Sequence, residues 1–161
     1  MNNREEAGVG APAAKGNWLP SGSSAMDDYS LAYALLRATL GVNIAMHGIS
    51  RLLAGVGGFV AGLEKQFAAT VLPHVLVSAF AHALPWTEAA LGLLILFGVA
   101  TRYALVAGGL LILVLTFGST LHQDWQVAGL QLIYAIAYAL LIAFHRYNAI
   151  SFDKFFSRKT E

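Results

Sequence analysis

Four apolar stretches, each long enough to cross a bilayer, leave this chain little choice but a membrane helix bundle. They run Leu31–Ala54, Val75–Ala100, Ala104–Leu121 and Val127–Phe144. A spanning helix needs ~20 mostly apolar residues, 1.5 Å apart along the axis. Only 12% of the 161 residues are charged, against about 25% in soluble domains. The fold expected is therefore all-α: an integral membrane four-helix bundle with one short amphipathic helix at the interface between its first two helices.

Three regions follow. Residues 1–30 are rich in Gly, Ala, Ser, Pro and Asn and are expected to form a flexible N-terminal tail. Residues 31–145 form the four-transmembrane-helix domain, and 146–161 a basic, aromatic tail suited to lipid headgroups. The first apolar stretch is 24 residues long, longer than the ~7–15 of a signal-peptide core, so it is read as a retained helix. Between spans one and two, Gly55, Gly57 and Gly58 interrupt the apolar run. Phe59, Leu63, Phe67 and Val71 then recur every fourth residue, with Glu64 and Lys65 between them. That spacing predicts an amphipathic helix lying in the interface. Turns are expected at Thr101–Tyr103 and His122–Gln126, and Pro85 is expected to kink span two.

An even number of spans puts both termini on one side. That side holds Arg4, Lys15, Arg102, Arg146, Lys154, Arg158 and Lys159, and the other holds Arg51 and Lys65. The excess of basic residues predicts both termini in the cytoplasm and the chain in the cytoplasmic (inner) membrane. The lipid membrane is one partner, and a partner subunit or a second copy of the chain is expected beside it. A net charge of +1 gives no electrostatic footprint for nucleic acid.

Ionisable residues inside the spans carry the functional signal, because a charge at bilayer depth costs ~2.5–3.5 kcal/mol on insertion scales. On span one, Arg37, His47 and Arg51 fall within an arc of about 80°, and Asn43 widens it to about 120°. They read as a polar stripe lining a cavity, or as two snorkelling arginines with His47 bonding a neighbouring helix. Glu88 on span two lies near mid-membrane, where pairing with His47 or an arginine of span one is geometrically reasonable. Such a pair serves as a clamp, a functional site, or both. Gln131, Tyr134, Tyr138 and His145 form a polar–aromatic row on span four, which suits a flat quinone-like ring or ordinary packing. Small residues that permit close helix approach recur at Gly41 and Ala45, and at Ala135, Ala139 and Ala143.

Cysteine is absent, which excludes Cys-ligated iron–sulfur clusters, thiol nucleophiles and persulfide carriers. Haem is disfavoured, since His47 and His82 are the only obvious pair within the membrane. No metal site is expected. Arg51, Lys65, His122 and Asp124 make a mouth of mixed charge able to attract a small anion.

Three segments in order resemble the DoxX family, with the third closer to its DoxD-like branch. They are LLRATLGVNIAMHGISRLL, PWTEAALGLLILFGVATRYALVAGGLLIL, and GSTLHQDWQVAGLQLIYAIAYALLI followed by YNAISFDKF. The matching polar positions are Arg37, His47, Arg51, Glu88, Arg102, His122 and Asp124. The resemblance implies a membrane subunit of a thiosulfate:quinone oxidoreductase, which oxidises thiosulfate and passes electrons to quinone. On that reading quinone is the co-substrate, and His47 and Glu88 are the catalytic proton-handling residues. Arg37, Asn43, Arg51, His82, His122, Tyr134 and Tyr138 then bind substrate or quinone. The alternative is a non-catalytic subunit that anchors or stabilises a larger complex.

Overall fold

The computed structural model describes residues 22–157; the first 21 residues of the flexible tail expected over 1–30 and the last residues of the basic tail, 158–161, lie outside the described residues, and 22–30 are helical. The described residues form helices joined by short turns, with no strand among them. Helix α1 spans Gly22–Ala54, α2 Val56–Phe67, α3 His74–Phe97, α4 Thr101–Leu121 and α5 Trp125–Ala143. A 3-10 turn at His145–Tyr147 and a short α6, Phe152–Ser157, follow. Helices α3, α4 and α5 are each long and apolar enough to cross a membrane. Helices α1 and α2, bent by 106° at Gly55, meet that test as a pair. The protein is thus an all-α integral membrane bundle with three spans, or four when the bent pair counts as one.

Helix α1 begins earlier than the sequence reading placed its span, so Asp27, Asp28 and Ser30 lie inside it instead of before it. Extending an existing helix adds one hydrogen bond per residue ordered, and no Gly or Pro lies between Gly22 and Leu31. The turn expected at Thr101–Tyr103 lies earlier, at Gly98–Ala100. Gly98 takes φ 68° and ends α3 with its N–H on Ile95 O, while Val99 N–H bonds Leu94 O. This double closure of a helix end needs a left-handed residue, which Gly adopts without strain. The later turn is tighter than expected, because Asp124 caps α5 by accepting from Val127 N at 3.0 Å.

Helices α1 and α3 pack most extensively. The inward face of α1 is Tyr33, Arg37, Leu40, Gly41, Ile44, Ala45 and Gly48, a helical spacing of four, three and one. Its small residues interlock with α3: Gly41 meets Leu96, Ala45 meets Gly92 and Gly48 meets Ala89. A Cβ added at Gly41 would fall 2.6 Å from Leu96 N, so backbone contact this close is open only to glycine. The seam expected from Gly41 and Ala45 is therefore the α1–α3 interface. Ala135, Ala139 and Ala143 instead face outward. Helix α5 turns Tyr138 and Leu141 to the core, where Tyr138 fills the space left by Gly108 of α4.

The chain end docks on one end of the bundle. Arg37 donates to Ile95 O at 2.6 Å, Leu96 O at 2.7 Å and Ile150 O at 2.7 Å. It thereby satisfies last-turn carbonyls of α3 and places a cation at the negative end of the helix dipole. Asp153 accepts from Ala100 N, Thr101 N and Thr101 Oγ1 at 2.7–2.8 Å, capping α4 from the chain end. Burial pushes the Asp153 carboxyl up. The Thr101 and Ala100 donors, together with nearby His145, outweigh this and hold it below the usual carboxylate range.

Candidate functional site

At the opposite end of the bundle α2 folds back over the helices and roofs a cavity of about 430 Å³. Phe59, Leu63 and Phe67 of α2 line it, three of the four residues whose recurrence predicted an amphipathic helix; Val71 lies past the end of α2 at Phe67 and is exposed. The walls are Leu76, Val77, Phe80 and Leu84 of α3 and Val114, Leu115 and Phe117 of α4. Polar groups are few: Arg51, Gln66, Ser119, His122 and Asp124. An apolar cleft of this size with a handful of oriented polar groups is the usual form of a small-ligand site.

Arg51 is the group best placed to act in it. Its Nη1 bonds Glu88 Oε2, an ion pair joining α1 to α3. Its guanidinium also lies 4.5 Å from the centre of the Phe59 ring, a cation–π contact that ties α2 to α1. Glu88 is almost wholly buried, whereas Arg51 keeps part of its surface on the cavity. At the rim Gln66 Nε2 and His122 Nε2 are 3.0 Å apart, and the Phe67 ring meets His122 edge-on at 5.1 Å.

The candidate residues read from the sequence do not form one cluster. Arg51, Glu88, His122 and Asp124 belong to the cavity and its floor. Arg37 sits at the other end of the bundle, its Nη1 and Nη2 on three backbone carbonyls. His47 and Asn43 lie on the outward side of α1. There His47 Nδ1 bonds Asn43 O at 2.9 Å and Tyr134 donates to Asn43 Oδ1 at 3.0 Å. With Val42, Met46 and Ser50 they border a separate open groove, and Arg51 borders both it and the cavity. His82 bonds back to Ser78 O on an exposed face of α3. Tyr138 is core. The arc on α1 was measured by rotation about its own axis, and the positions of α3 and α5 divide that arc between inside and outside. Among the described residues no group of three or more His, Asp or Glu side chains converges to hold a metal.

The sequence reading missed the α3 and α4 walls, since Leu, Val and Phe in a spanning helix look the same whether they face lipid or a void. It also missed the Asp153–Thr101 cap, although an acidic residue opposite a helix start was a usable signal.

Fold and site together define an integral membrane helix bundle with a lipophilic cavity floored by an Arg–Glu pair. The chain belongs to the DoxX family, whose model matches residues 32–123, more than half of its length. That match runs from α1 through the turn after α4 and includes Arg51, Glu88 and most of the cavity wall. No curated protein and no solved structure matches the chain.

Proposed function

We propose that the chain is the membrane subunit of a quinone-linked redox complex, and that the quinone ring occupies the cavity beside Arg51. The supporting observation is the cavity itself: apolar and aromatic walls around a guanidinium that gives one Nη to Glu88 and keeps surface on the cavity. Arginine has five N–H donors, so Arg51 is able to hold Glu88 and donate to a ring carbonyl at once. Bound quinone supplies a two-electron, two-proton acceptor. Glu88 fixes the Arg51 head, Phe59 covers it, and Glu88 passes the protons; His47, on the separate groove of α1, has no part in that step.

By resemblance to the DoxD-like branch, the reductant is thiosulfate or a similar small anion. Two thiosulfate ions couple to tetrathionate and release two electrons, which reduce one quinone with two protons. A chain without cysteine has no thiol to carry these electrons, so a partner subunit delivers them. The distribution of Lys and Arg supports both termini in the cytoplasm and the α2 end facing outward.

A second reading is a non-catalytic anchor. It draws on the way Arg37, Asp153 and Arg51 are each engaged by other parts of the bundle. Purification from native membranes in mild detergent, with mass spectrometry of retained quinone and proteins, separates the two. Stoichiometric quinone, lost or weakened roughly tenfold or more in Arg51→Gln, with thiosulfate-dependent quinone reduction by the complex, supports the redox subunit. A retained partner with no quinone, and activity unchanged in Arg51→Gln, supports the anchor.

A further inference from the structure

We infer that the cavity is loaded sideways from the bilayer, through a mouth between α3 and α4 near the α2 end. Its occupant is a ring with an alkyl tail: the ring lies inward against Arg51 and Phe59, and the tail trails past Leu76, Val114 and Phe117 into lipid. This rests on the quinone reading and adds the route and the requirement for a tail.

Exposure divides the cavity lining. Val77 and Leu84 are sealed inside, at 6% and 3%, whereas Leu76, Val114 and Phe117 are 56%, 49% and 58% exposed. The exposed three are large and apolar, and they come from the two helices on either side of one gap. Helices α3 and α4 are held together by the short Gly98–Ala100 turn at the far end. Yet α3 packs mainly on α1 and α4 mainly on α5, and the two touch each other much less. The gap therefore opens away from the turn, toward α2.

The mouth lies at lipid depth. Val114 and Phe117 stand seven and four residues before the end of α4 at Leu121, about 10 Å and 6 Å below it along the axis. On the water side the way is closed. Phe67 of α2 seats on Gly118, its Cζ 3.2 Å from where a Cβ there would lie, and Gln66 meets His122 at the rim. A water-borne ligand would have to lift α2 away. A lipid-borne one need only turn its ring out of the acyl chains into walls of similar polarity, leaving its tail where it was.

The absence of cysteine allows a clean test. Phe117→Cys, with Val114→Cys as the second variant, is reconstituted in nanodiscs and coupled to a bulky disulfide-forming reagent. Val106→Cys, 44% exposed on α4 but outside the cavity lining, is the control. Exchange of a long-tailed menaquinone is then followed. The mouth requires roughly tenfold or slower exchange in modified Phe117→Cys or Val114→Cys, recovery on reduction, and no effect at Val106→Cys. Unchanged exchange in both modified mouth variants overturns the lateral route and leaves the quinone reading standing. No menaquinone uptake by the unmodified protein overturns the quinone reading and the route with it.

Discussion

Arg51 of α1 donates to Glu88 of α3 across the tightest seam of the bundle, one turn from where Gly48 meets Ala89. Close packing and the ion pair are thus parts of one interface. The glycines bring the helices near enough for a short acid to reach the arginine, and the pair fixes the register of the glycines. Removing Arg51 leaves the Glu88 charge buried and unpaired, which typically costs ~3–5 kcal/mol, whereas Arg51 left alone keeps surface on the cavity and its contact with Phe59, so the loss of Glu88 costs less. Glu88→Ala and Arg51→Ala should each lower the melting temperature in detergent, and the double variant should lose less than the sum. A coupling energy of roughly 1 kcal/mol or more in that cycle is expected. Simple additivity would show that the pair contributes no coupling to the fold.

Glycines separate sharply by surroundings. Gly92→Ala and Gly41→Ala drive a methyl into the opposing backbone and should destabilise strongly or separate α1 from α3. Gly62→Ala on α2 meets open space and should be neutral or stabilise by up to about 1 kcal/mol. Thermal melts of the three variants side by side check the contrast.

The Asp153 cap gives a pH signature outside the membrane span. Its carboxyl is held below the usual range in the folded chain, so the folded state favours the charged form. The stabilisation is complete above the unfolded value of about 4. It is lost as pH falls through that value toward the lower folded one. Wild type should lose melting temperature on acidification from pH 6 to below 4, and Asp153→Asn should begin lower and lose less. Parallel pH curves for the two proteins would show that Asp153 is not the group responsible.

Arg37 ties three carbonyls from two segments, which no lysine reproduces, since lysine offers a single point of charge in place of a fork. Arg37→Lys should free the Ile150 segment while the spans persist. Limited proteolysis should then cut near 148–157 faster than in wild type. An unchanged digestion pattern would place the anchoring in Asp153 alone.

The spans, the amphipathic α2 and the need of Glu88 for a partner on span one were legible in the sequence, because each is a matter of local spacing or of the high cost of a charge in lipid; that the partner is Arg51 and not His47 was not. Gly41 and Ala45 were read as a contact face for the same reason: small residues every fourth position leave a groove on any helix. Which helix fills that groove is a different kind of question. Ala135, Ala139 and Ala143 carry the same pattern and face outward, so the pattern alone does not name its partner. Arg37 and Arg51 share a face and a side-chain type. One became a helix cap and the other the floor of a cavity, according to whether a helix end or a helix middle lay opposite. The cavity was invisible for the same reason. A void is defined by what surrounds it, and the meeting of α2, α3 and α4 around this one depends on which neighbour each helix packs against, information spread over long-range contacts and carried by no single stretch of chain.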